Sequence, residues 1–131
     1  MGRVLLYNFQ EESRRKAVKA VLFRLCIPVR DVPPEAQGLP LKTLLGPEMP
    51  KVGETAPAES FREEMIVMQG LEPRLFHGFL EGLKATGIRV PLKAVVTEHN
   101  AEWSSLRLHA ELRAEHLAMT GRAAGPDRGK E

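Results

Sequence analysis

Val4-Leu5-Leu6-Tyr7-Asn8 and Met65-Ile66-Val67-Met68-Gln69-Gly70 open two stretches, residues 4–29 and 65–90, that read as copies of one unit. Each runs from an apolar strand through a polar turn and an amphipathic helix to the entry of a second strand. At a constant offset of 61 and with no gap, Val18 falls on Phe79, Leu22 on Leu83, Cys26 on Gly87, Ile27 on Ile88 and Val29 on Val90. A doubled strand-helix-strand unit implies an α/β sheet, and apolar strands of this kind are those buried on both faces.

Working outward, Ala17, Val18, Val21, Leu22 and Leu25 repeat at helical spacing, with Arg14, Arg15, Lys16, Lys19 and Arg24 mostly off that stripe. A first helix over 13–25 with a basic outer face follows. Residues 27–32 alternate apolar with polar and carry Pro28, which fits an edge strand and offers a route to a homodimer by strand pairing across a two-fold axis. Leu39 to Gly46 suggests a short helix with Pro40 in its first turn. From Gly46 to Ser60, prolines and few large apolar groups read as a mobile loop. Pro73 starts the second repeat's helix, Leu75, Phe76, Phe79, Leu80 and Leu83 form its stripe, and Gly87 suits its C-terminal cap. Leu92 to Val96 is a fourth strand, Trp103 to Met119 a final helix, and Thr120 to Glu131 a disordered tail.

The element order predicts a single α/β domain over 1–119, with a four-stranded parallel sheet in the order 2-1-3-4 and helices on both faces. The alternative is a ferredoxin-like βαββαβ arrangement, with an antiparallel sheet and an added C-terminal helix.

At 131 residues, with 43% hydrophobic and 27% charged residues, the composition is that of one ordinary globular domain. No apolar run approaches the roughly 20 residues of a membrane span, and no secretory leader opens the chain, so the expected location is the cytoplasm, with no membrane partner. The single cysteine, Cys26, excludes an internal disulfide and reads as a packed, inert thiol at a helix end. A net charge of +2 is too small to argue for nucleic acid.

The pieces Val4–Asn8, Met65–Gly70 and Pro91-Leu92-Lys93-Ala94-Val95-Val96-Thr97, followed by Asn100 and Trp103, resemble a family of small bacterial proteins catalogued only as a domain of unknown function. The resemblance covers about residues 3–117 and is sharpest in the Pro-Leu-Lys strand with its Thr-x-x-Asn-x-x-Trp sequel. It carries no catalytic role and no cofactor.

Open α/β sheets bind ligands beyond the carboxyl ends of their strands. In a parallel sheet that rim would gather Asn8, Gln69, Gly70, Thr97, His99, Asn100 and Trp103, hydrogen-bonding groups at helix N-termini suited to a small anionic ligand or a protein partner. The competing reading is structural. Asn8 with Glu11 fits a capping box, Thr97 or Asn100 fits a cap before the last helix, and Trp103 fits packing at the sheet edge.

His99 beside Glu98 is the candidate acid-base pair of a small hydrolase or transferase, but no nucleophile is placed next to it. His109 and His116 would sit about 10 Å apart on a helix, too far for one metal. Phosphate-loop and dinucleotide glycine patterns are absent. Weak nucleic-acid binding through the basic helix 13–25 is a third reading, opposed by Glu11, Glu12 and the scarcity of aromatics. The leading expectation is a non-catalytic binding or regulatory module.

Overall fold

A computed structural model describes residues 2–48 and 60–124, with side chains to His116. Its elements are β1 (Arg3–Tyr7), α1 (Glu12–Arg24), β2 (Val29–Val32), a 3-10 turn at Pro34–Ala36, α2 (Leu41–Leu44), β3 (Met65–Gln69), α3 (Pro73–Thr86), β4 (Leu92–Val95) and α4 (Ser105–Ala124). The last helix runs to Ala124 rather than ending at Met119. The loop expected over 46–60 and the remainder of the expected tail lie mostly outside the described residues.

The strand order is β2-β1-β3-β4, as the repeats predict. The strand directions are not. β1 pairs β2 in parallel and β3 pairs β4 in parallel, but β1 and β3 run antiparallel, with Tyr7 opposite Met65 and Arg3 opposite Gln69. The all-parallel sheet is therefore corrected to a mixed one. The ferredoxin-like alternative also fails, because each repeat closes its own parallel pair. A contact just before β3 goes with this direction. Asn8, just past β1, donates from Nδ2 to the carbonyls of Phe61 (3.0 Å) and Glu63 (2.9 Å). The returning chain is thereby tied to the carboxyl end of β1 and enters β3 beside Tyr7, running the opposite way.

Alternate residues of the central strands face opposite layers. Val4, Leu6, Ile66 and Met68 pack under α1 and α3 with Val18, Val21, Leu22, Phe79 and Leu83. Leu5, Tyr7, Met65 and Val67 face Ala36, Leu41, Leu44, Phe61 and Leu108 on the other side. Helical elements thus cover both faces, as expected, with the two repeat helices sharing one of them. Gly78 and Gly82 let α3 approach α1: a Cβ at Gly82 would lie 2.5 Å from Val21 Cγ1, and one at Gly78 would lie 3.3 Å from Leu25 Cδ2. A methyl group at Gly82 would require this buried contact to move.

The repeat is real but not gapless. The helices align at an offset of 61, which pairs Val18 with Phe79, both buried in the same cluster. The same offset sets Val4 on Met65, and these two face opposite layers. The strands align instead at one residue more, Val4 with Ile66, because the turn after β3 is one residue shorter than that after β1. Left-handed residues then fall in equivalent pairs: Asn8 (φ 64) with Gly70 (φ 69), and Cys26 (φ 58) with Gly87 (φ 79).

Cys26 closes α1 in a Schellman turn, in which Ile27 N–H donates to Leu22 O (2.9 Å) and Cys26 N–H to Phe23 O (3.0 Å). Its thiol is exposed, not packed as expected. A side chain at positive φ costs about 1–2 kcal/mol, partly offset by the unfolded-state freedom of glycine. Cys26→Gly is expected to raise stability by about 0.5–1 kcal/mol. Chemical denaturation checks this, and an unchanged or lower midpoint would show that the Cys26 backbone is not strained.

Candidate functional site

Because β1 and β3 are antiparallel, the sheet has carboxyl-end rims at both ends. The residues expected along one rim are divided between them. Gln69, Gly70, Thr97 and Asn100 lie at the β3/β4 end, with His99 and Trp103 close by, whereas Asn8 lies at the β1/β2 end.

At the β3/β4 end the polar groups mostly satisfy one another. Asn100 Oδ1 accepts from Thr97 N–H (2.8 Å), Thr97 Oγ1 accepts from the N–H groups of His99 (3.2 Å) and Asn100 (3.3 Å), and Asn100 Nδ2 donates to Val95 O (3.2 Å). This is a closed turn. His99 meets the Trp103 ring edge-on at 5.4 Å, and the Arg107 guanidinium covers that ring at 4.2 Å. Trp103 itself is half-buried and packs against the second core cluster. Among the described residues, neither ring nitrogen of His99 has a hydrogen-bond partner, so no pairing with Glu98 is assembled. The capping box expected of Asn8 and Glu11 is not formed either: Glu11 precedes α1 without a side-chain cap, and Asn8 spends its amide on the connector.

The β1/β2 end is different. Leu6, Asn8, Phe9, Gln10, Arg15, Asp31, Val32, Pro33 and Pro34 line an open cleft of about 420 Å³. Leu6, Phe9 and Val32 form buried apolar walls. Asp31 is held by Lys19 at 2.6 Å. Arg15 donates from Nη1 to Phe9 O at 3.3 Å and, among the described residues, has no carboxylate partner. Its neighbours on α1 do: Arg14 pairs with Glu64 and Lys16 with Glu12. Together with Lys19–Asp31, those pairs neutralise three of the five basic residues of a face that would otherwise favour phosphate backbones. The reading of this helix as a uniform basic surface missed that Arg15 alone enters a cleft. Only the fold of Pro33-Pro34 back toward Asn8 shows it.

A buried polar node on the opposite layer was not visible from the sequence. Tyr7 Oη and Ser105 Oγ lie 2.6 Å apart. Gln37, fully buried, accepts from Phe61 N–H at Oε1 (3.0 Å) and donates from Nε2 to Phe61 O (3.3 Å). Leu106 N–H donates to Gln37 O at 3.2 Å, which ties the start of α4 to the same point. The Phe61 ring stacks on His109 at 3.9 Å, and Glu63 bridges His109 (2.6 Å) and Arg113 (2.7 Å). Such partners lie up to 98 residues apart in the chain, beyond any local pattern.

Burial raises the Tyr7 phenol well above its ordinary value, against a smaller lowering by the Ser105 hydrogen bond. Phenol ionisation in the unfolded chain begins near its ordinary value of about 10, so stability is intact below that pH and falls as pH rises toward the folded-state value. Tyr7 is the only tyrosine. Phenolate absorbance is therefore expected to appear together with loss of the helical circular dichroism signal. Phenolate formation near pH 10 with the fold intact would contradict it.

No curated protein and no solved structure matches the chain. No helix among the described residues is long and apolar enough to cross a membrane. The strand Val4–Tyr7, which shares in the resemblance drawn from the sequence, lies outside the one matched region, which holds β3, α3, β4 and most of α4. That region, residues 64–119, matches the model of the family described as Domain of unknown function (DUF3783).

Proposed function

We propose that this chain is a non-catalytic binding module of the bacterial cytoplasm that takes a small carboxylate-bearing ligand in the β1/β2 cleft. The observation that supports this reading is Arg15, a guanidinium with no counter-charge among the described residues, at the edge of an apolar-walled cleft beyond two parallel strand ends. Such a group favours an anion through charge-assisted, bidentate hydrogen bonds. Asn8 and Gln10 supply polar edges that orient the ligand, and Pro33-Pro34 gives a rigid wall at little entropic cost. The exposed free thiol of Cys26 suits a reducing compartment.

A thermal-shift screen of mono- and dicarboxylic acids tests the proposal. At one hundred times its dissociation constant, a native-state ligand adds about 2.7 kcal/mol of apparent stability. Arg15→Gln is expected to weaken the selected acid about 10–100-fold, the worth of a charged hydrogen bond, while Arg24→Gln on the same helix leaves it unchanged. A screen without a selective acid, or equal binding by Arg15→Gln, would overturn the reading.

A further inference from the structure

At the other end of β1, on the face away from α1 and α3, two arginines converge. Arg3 Nη1 donates to Gly46 O (2.7 Å) and Leu45 O (3.3 Å). Arg30, opposite Leu5 on β2, donates from Nη1 to Leu44 O (2.6 Å) and to the same Gly46 O (3.0 Å), and from Nη2 to Pro47 O (3.4 Å). Two cations thus share one carbonyl oxygen. Among the described residues neither has a carboxylate partner, although Arg14, Arg74 and Arg113 each have one.

The carbonyls at the end of α2 account for part of this arrangement, since arginines commonly serve helix C-termini. They do not account for the charge. Backbone oxygens carry partial charges only, and the two guanidiniums repel at this separation. Burial first, and then the charge of Arg3, lower the proton affinity of Arg30. Each guanidinium has five N–H donors. Among the described residues, Nη2 and Nε of Arg3 and Nε of Arg30 have no protein acceptor. Gln69, opposite Arg3 in the sheet, adds a half-exposed amide from the carboxyl end of β3.

We propose that Arg3 and Arg30, with Gln69 beside them, form a binding site for a phosphate-type oxyanion, separate from the β1/β2 cleft. Near neutral pH a phosphate monoester carries about −1.5 to −2 and inorganic phosphate between one and two negative charges, more than a carboxylate against the two cations, and its several acceptor oxygens suit two forked donors. A carboxylate would cancel only one charge.

The test is titration of the full chain with inorganic phosphate and, separately, acetate at equal ionic strength, read by the side-chain Nε–Hε resonances of the arginines and by thermal shift. Phosphate is expected to perturb the Arg3 and Arg30 resonances saturably and to bind at this site at least tenfold more tightly than acetate does. Arg3→Gln and Arg30→Gln should each weaken phosphate by about tenfold or more, whereas Arg15→Gln should leave it unchanged. The wild-type resonances localise binding even if a variant fails to fold. No saturable change at these two arginines, or equal responses of their side-chain resonances to phosphate and acetate, would overturn the proposal. Because Arg15→Gln separates the two sites, failure here is distinguishable from failure of the cleft.

Discussion

Asn8→Ala is expected to destabilise the fold by about 3 kcal/mol, from the loss of two hydrogen bonds at roughly 1 kcal/mol each and about 1–2 kcal/mol for an alanine at positive φ. Asn8 ties the chain that enters β3 to the carboxyl end of β1. Its φ of 64° turns the chain out of β1, and its amide then holds the carbonyls of Phe61 and Glu63. Asn8→Gly keeps the backbone conformation and loses only the two bonds, so about 1 kcal/mol should return relative to alanine. Urea denaturation of the three proteins checks both parts. Equal losses for alanine and glycine would assign the whole effect to the side-chain bonds. A loss below about 1 kcal/mol would mean that the connector is held without Asn8.

Gln37→Leu should cost about 2–3 kcal/mol, although leucine has a similar volume and adds apolar surface. Gln37 is fully buried, and its side chain meets the N–H and the carbonyl of Phe61 as a neighbouring strand would. Leucine leaves that N–H buried without an acceptor, a penalty of about 1–3 kcal/mol. Asn8 and Gln37 both donate to Phe61 O, so their substitutions should not add. A double-mutant cycle is expected to give an interaction energy of at least about 0.5 kcal/mol. Strict additivity would show that the two side chains act on independent parts of the connector.

The candidate site was legible only in pieces. Thr97 and Asn100 read in the sequence as polar groups ahead of the last helix, and their geometry is that of a self-satisfied turn. Arg15 was visible only as one of several basic residues on a helix, and nothing local separates it from Lys16 or Arg24. Its distinction comes from Pro33-Pro34 and Asp31 arriving from β2, and Arg3 and Arg30 likewise become a pair only when β1 and β2 lie side by side. Charge pairing across elements, which also removes Arg14 and Lys19 from any ligand surface, leaves no periodic mark in a chain.

Hydrophobic spacing, with Pro28 marking the edge strand and the repeated element order setting the strand order, determined the four strands, the two repeat helices and the sequence in which the strands pair, because each depends on which residues must leave water or cannot donate to a ladder. Direction is a different matter. Val4–Tyr7 and Met65–Met68 are apolar on both faces, so they bury the same surface whether they run together or in opposition. The antiparallel pairing goes with hydrogen bonds between Asn8 or Gln37 and a backbone segment 24 to 55 residues away, contacts that exist only once Phe61 and Glu63 lie against the sheet.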